Sequence, residues 1–295
     1  MSNRLVRIAF FATLAAAGPT VHAGEAPAPA AKPRVIALVA AAGTRFHVAI
    51  EGKITGSRLD NYNRRAHEAS EDVLNRIVLG ALDKELAERQ PGAKRVYLSM
   101  PAPRLETVSA SERDEHAIRK VIESLEAMPQ RAEWDRIVVA TPAWKAFDTS
   151  GLADRLQGMG LSVHPMGSGL SMFFNLPASV DSMRGDDALT PEGKQARSVI
   201  YVAPYAYLTI WILDPKTLAV LDRQDRFDSR KLANPGSGTS DLIEGIGKEF
   251  IAKQIVAVIG RSVHEAIGRS ELAGKVEVHE VREVKPPQAG ATSAP

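Results

Sequence analysis

Cysteine is absent from all 295 residues of the chain. That excludes disulfide cross-links, thiolate zinc and iron–sulfur sites, thiol nucleophiles, and acylation of a cysteine at an export cleavage site. Stability must come from an ordinary buried core, and a chain of this length can bury most of its apolar surface. Net charge is nearly as scarce, with 37 lysines and arginines against 35 aspartates and glutamates. The basic residues occur as short pairs with acidic neighbours, such as Arg64 with Arg65 and Arg230 with Lys231. No basic patch able to neutralise a phosphate backbone is built, and no nucleic-acid partner is expected. No apolar run reaches the ~20 residues that cross a bilayer as a helix, so no transmembrane segment is expected once the first residues are removed.

The signatures of catalysis are missing as well. No Gly-x-Ser-x-Gly elbow occurs, and Gly167-Ser168-Gly169 and Gly236-Ser237-Gly238 have ordinary loop composition. Gly245-Ile246-Gly247-Lys248 lacks the earlier glycine and the following Ser or Thr of a phosphate loop, and it sits inside a helical pattern. Beyond His22, the histidines at 47, 67, 116, 164, 264 and 279 are spread singly. His67-Glu68 and His264-Glu265 have no second histidine four residues on, so the zinc-peptidase spacing fails. Asp181, Asp186 and Asp187 form an acidic stretch without calcium-loop spacing. These absences lead us to expect no catalytic residue by motif, no metal and no cofactor.

What is present begins with an address. Arg4 and Arg7 precede the apolar run 8–17, and Val21-His22-Ala23 has the small-residue pattern of a cleavage site. Residues 1–23 read as a secretory signal peptide, with cleavage near Ala23 and a periplasmic or secreted product. Its removal takes away two arginines and leaves 35 residues of each sign. Residues 24–33 follow as an Ala/Pro-rich tether, and 276–295 as a mostly disordered tail. The span 34–275 reads as a single α/β domain, with a division into two halves near 165–197 left open.

Within it, 35–41 is a continuous apolar run of strand length, consistent with a strand buried on both faces. A second strand is expected over 46–50, then a long polar loop over 52–69. A helix over 71–89 has Ser70 as its N-cap and an apolar face through Leu74, Val78, Leu82 and Leu86. A strand at 94–100 follows. Ser109 and Glu112, at capping-box spacing, open a second helix through Ile118, Val121 and Leu125. A strand at 136–141, a short helix at 151–159 and a short strand at 161–164 come next. Residues 198–213 read as a long strand bearing Tyr201, Tyr205, Tyr207 and Trp211, and Asp214-Pro215-Lys216-Thr217 turns it back into 218–227. One closing helix is expected from about 241 to 267. The fold class is α/β, a largely parallel or mixed sheet flanked by helices, with a late antiparallel hairpin and a closing C-terminal helix.

Ligands of such sheets bind beyond the carboxyl ends of the strands. Those ends carry Arg45, Arg104, Trp144 and His164, our candidate ligand-binding residues. Trp144, with Phe147, would supply an aromatic wall, and an arginine would meet an anion.

The early strand at 35–41, the helix at 71–89, the strand at 136–141, the hairpin around Asp214-Pro215-Lys216-Thr217 and the closing helix together resemble the CsgG-like and TolB amino-terminal type of envelope protein. Many of those proteins are lipoproteins, which this cysteine-free chain is not. The resemblance implies an exported binding or scaffolding protein with an envelope partner and no catalysis. The alternative from another class is a periplasmic hydrolase with its site at the strand ends. Oligomeric state is open.

Overall fold

An uninterrupted apolar strand must be covered on both sides, and β1 (Val35–Ala40) is. In the computed structural model its alternate residues separate into two cores. Ile36, Leu38 and Ala40 face one layer, and Ala37, Val39 and Ala41 face the other. The structure describes residues 32–51, 62–69, 72–101, 105, 107–109, 111–144, 156–164, 186–198, 201–235 and 242–273. The chain separates into units 1–32 and 33–295, and all of the described residues except Lys32 belong to the second.

After β1 come β2 (Arg45–Glu51), β3 (Tyr62–Glu68), α1 (Val73–Arg89), β4 (Lys94–Ser99) and α2 (Arg113–Glu126). They are followed by β5 (Arg136–Pro142), β6 (Met159–His164), the small hairpin β7 (Asp186–Leu189) and β8 (Gln195–Ser198), then β9 (Tyr201–Leu213), β10 (Val220–Ser229) and α3 (Lys248–Gly268). Eight strands form one mixed sheet in the order β3-β2-β6-β9-β5-β1-β4, with β10 on β9. The first core packs α1, through Leu74, Val78, Leu82 and Leu86, and α3, through Val258, Ile259, Val263 and Ile267, on one face. The second packs α2, through Ile118, Val121 and Leu125, with Trp134 on the other. Each fully buried Leu or Ile is worth about 1.5–3 kcal/mol over its exposed form. The expected α/β class, the late hairpin and the closing helix are all present.

The long strand β9 organises the sheet. It is apolar on both faces, with Leu208, Ile210 and Ile212 in the first core and Trp211 and Leu213 in the second. On one edge it pairs antiparallel with β10. On the other edge, β5 pairs with 208–213 and β6 with 201–206. β5 and β6 therefore follow one another along a single edge of β9. Next to them, β1 runs parallel to β5, and β2 runs parallel to β6. The sheet is two sets of strands joined lengthwise by β9. At the joint, the Tyr207 carbonyl accepts the Ala143 N–H at 2.9 Å, and the Tyr207 N–H donates to the Gly158 carbonyl at 2.6 Å.

Several sequence expectations need correction. The stretch 52–69 is not a loop throughout, because Tyr62–Glu68 is β3, paired antiparallel to β2. It is an edge strand, and Arg65, Ala66, His67 and Glu68 are exposed, so no apolar alternation was needed to form it. The first helix starts at Val73, and the proposed cap Ser70 lies outside the described residues. The capping box does not form. Ser109 Oγ donates to Glu112 Oε2 at 2.8 Å, side chain to side chain, and no side chain caps α2. The closing helix is two helices, Leu242–Ile246 and α3, broken at Gly247, whose φ of 93° only glycine adopts readily. Met159 opens β6 rather than ending a helix, and 151–155 lie outside the described residues. Asp186 and Asp187 stand in strand β7, where Asp187 meets Arg197 at 3.2 Å; Asp181 lies outside the described residues.

Candidate functional site

Where β1 gives way to β2 and β5 to β6, the strands part and leave an open cleft of about 810 Å³. One wall is the turn between β1 and β2. Its backbone N–H groups at Ala42 and Gly43 have no strand to pair with, and Asn75 Oδ1 accepts both, at 2.8 and 3.1 Å. Asn75 comes from the first turns of α1 and is fully buried. Its amide donates to the Met100 carbonyl at 2.8 Å, so one side chain ties the ends of β1 and β4 together. Beyond the turn, the Thr44 carbonyl accepts the Ala69 N–H, and the Thr44 hydroxyl donates to the Glu68 carboxylate. Arg45 Nε lies 3.5 Å from the same carboxylate.

The opposite wall is Pro142, Trp144, Gln157, Gly158 and Met159. Trp144 is fixed through its backbone, whose N–H donates to Asp114 Oδ1 at 2.9 Å. Asp114 is itself almost inaccessible, and its other oxygen takes Arg223 at 2.8 Å. Burial pushes the Asp114 carboxyl above its ordinary range, against the opposing pull of the Trp144 N–H and Arg223. Arg223 also meets Glu115 at 2.7 Å and Asp225 at 3.1 Å, and lies 4.5 Å over the ring of Trp211. Trp211 Nε1 in turn donates to Thr141 Oγ1 at 3.0 Å. A buried polar chain thus runs from the hairpin through α2 to the rim of the cleft.

Two further side chains line it. His47 is half-buried, and its imidazole is held below its ordinary pKa, first by burial and then by the charge of Arg45. Arg113, the first residue of α2, donates from Nε to the Val108 carbonyl at 2.9 Å and from Nη1 to Gln157 Oε1 at 3.4 Å. Backbone packing holds β2 against β6 here. A Cβ on Gly160 would overlap the His47 carbonyl oxygen and stand 2.8 Å from the Tyr205 hydroxyl.

Of the four candidates read from the sequence, Arg45 and Trp144 line this cleft. Arg104 lies outside the described residues, as does Phe147. His164 is the last residue of β6 and pairs with Tyr201. Because β6 leaves the cleft at Met159, His164 is about 17 Å further along, at roughly 3.3 Å per residue. The end of that strand is a different end of the sheet. His47, Glu68, Arg113 and Gln157 were not singled out from the sequence. His47 had a usable signal, since it stands two residues after Arg45 on a strand and must face the same side.

Among the described residues, no group of three or more histidines, aspartates or glutamates could hold a metal ion. No described helix is long and apolar enough to cross a membrane.

No family model matches the chain. No curated protein matches it either. Among solved structures, it is similar to a Xanthomonas campestris protein of family DUF330, at 9% identity, covering 82% of this chain and 87% of that one, with a TM-score of 0.30. It is also similar to a neuraminyllactose-binding hemagglutinin homolog from Helicobacter pylori, at 8% identity, covering 81% and 89%, with a TM-score of 0.34. Both are bacterial, and neither description names the CsgG-like or TolB type. Likeness this distant adds nothing to what the geometry itself shows.

Proposed function

We propose that the chain is an exported binding protein that works in the periplasm, holds a small ligand in the cleft between the strand sets, and serves an envelope assembly. The observation that carries this reading is the cleft's construction. Its turn is held by Asn75 and its aromatic rim by Asp114, so the walls are set before any ligand arrives. The signal-like residues 1–23 support export. The order of elements, which resembles the CsgG-like and TolB amino-terminal type, supports the envelope role.

The test is expression of the full chain in a Gram-negative host, followed by fractionation, mass determination and native mass spectrometry of the purified protein. A periplasmic product beginning near Gly24, with a co-purifying small molecule that a cleft variant fails to retain, is the expected result. A cytoplasmic product that keeps Met1 removes the export reading. Steady conversion of the retained molecule into a product establishes the hydrolase alternative instead.

A further inference from the structure

Charge around the cleft is unevenly spent. Arg223, behind the rim, is met by three carboxylates, those of Asp114, Glu115 and Asp225. Arg113, which lines the cleft itself, has no carboxylate partner among the described residues. Its two acceptors are neutral, a backbone carbonyl and an amide oxygen. A guanidinium carries five N–H donors, so the edge formed by Nη1 and Nη2 still has hydrogens to give. Both contacts also fix the orientation of the group, which lowers the cost of using that edge. Among the described lining residues the charged groups are Arg45, Arg113 and Glu68. Glu68 is engaged by Thr44 and Arg45, which leaves the cleft with a cationic surplus. Beside it, Trp144 offers the aromatic surface of the rim, and Leu105 and Met159 add apolar lining.

A planar, oriented guanidinium with a free edge matches one ligand chemistry best, an oxyanion that accepts two parallel hydrogen bonds. We infer that the ligand of this cleft is a small oxyanion, carrying a carboxylate or phosphate group that meets Arg113 and an apolar part that lies against Trp144. The inference rests on the cleft being a binding site, as proposed above, and adds the class of ligand.

The experiment titrates the full mature chain with benzoate, phenyl phosphate and the neutral benzamide, following the Trp144 indole N–H by NMR, with that resonance assigned through Trp144→Phe. The indole signal is expected to shift saturably with an anionic probe at concentrations at least tenfold below those needed for benzamide. Arg113→Gln, which keeps a donor for the Val108 carbonyl but removes the charge, should weaken the anion at least tenfold and leave benzamide unchanged. Arg45→Gln provides a second charge-removing variant in case Arg113→Gln does not fold. Tighter binding of phenyl phosphate than of benzoate identifies a phosphate ligand, and the reverse order a carboxylate. Equal binding of benzamide and the anions, or anion binding indifferent to both substitutions, overturns the oxyanion assignment while leaving the cleft a binding site. No shift of Trp144 with any of the three probes overturns the binding reading as well.

Discussion

Asp114 and Trp144 are joined by a single hydrogen bond that ties α2 to the rim of the cleft, the Trp144 N–H donating to a carboxylate that is 1% exposed. The same carboxylate holds Arg223. Asp114→Ala therefore leaves two donors without their acceptor. Arg223 keeps Glu115 and Asp225, so the loss is smaller than for an isolated buried pair. About 2 kcal/mol is expected in urea unfolding, accompanied by a displaced Trp144 indole resonance in the folded protein.

Asn75→Ala removes the acceptor of two buried backbone N–H groups and the donor to the Met100 carbonyl. Each orphaned group costs about 1–3 kcal/mol. A total near 3 kcal/mol is expected, measured by chemical denaturation. Asn75→Asp separates the roles, because it can still accept from Ala42 and Gly43 but cannot donate to Met100. Its second oxygen then faces the Met100 carbonyl and the Asp72 carboxylate, which the Asn75 amide now reaches at 2.8 and 2.7 Å, so the variant should lose at least as much stability as the alanine variant.

Gly160→Ala places a methyl group on the backbone of the neighbouring strand. The His47 carbonyl cannot move without disturbing β2, which pairs with β6 through His47 to Ile50. A destabilisation of about 2–3 kcal/mol is expected. Hydrogen exchange should show the loss concentrated in β2 and β6, with β1 and β5 retaining protection.

His47 supplies a pH dependence with a definite sign. Its folded-state pKa lies below the ordinary value of 6.5, chiefly through burial. Its contribution to stability is complete above 6.5, and it is lost as the pH falls from there through the lower folded-state value, because the unfolded chain takes up the proton first. Melting temperatures recorded from pH 8 to pH 5 should fall for the wild type, and His47→Gln should flatten that part of the profile. An unchanged slope in the variant contradicts the assignment.

Much of the fold was legible because it rests on local pattern. The run in β1 is apolar at every position and that in β9 at all but Thr209, and such strands have to be buried on both sides. The turn at Asp214 was equally visible, and its carboxylate accepts the N–H groups of Lys216 and Thr217 at 2.9 and 2.8 Å. β3 was not legible, because an exposed edge strand of mixed polar residues carries no period. The pairing of β5 and β6 along one edge of β9 was hidden for a different reason. It is decided by register with residues 37 or more positions away, and no local window of sequence contains both partners. The cleft inherits that limit. Arg45 and Trp144 follow from the rule about strand ends, whereas Arg113 and Glu68 reach it only because two sets of strands part at that point. His164 illustrates the converse, since it ends a strand whose beginning, not its end, borders the cleft.

The lengthwise role of β9 has a consequence for the order in which the molecule can be completed. β1, β2, β4, β5 and β6 all precede it in the chain, yet β5 and β6 each have one side that only residues 201–213 can cover. Until those residues are available, two rows of backbone donors and acceptors stand open and the strand sets have nothing to align them. Contacts so distant along the chain form slowly. A chain that ends short of β9 therefore lacks the strand that pairs with both β5 and β6 and aligns the two sets. Closure falls to a late segment, and maturation of the fold is timed by its arrival.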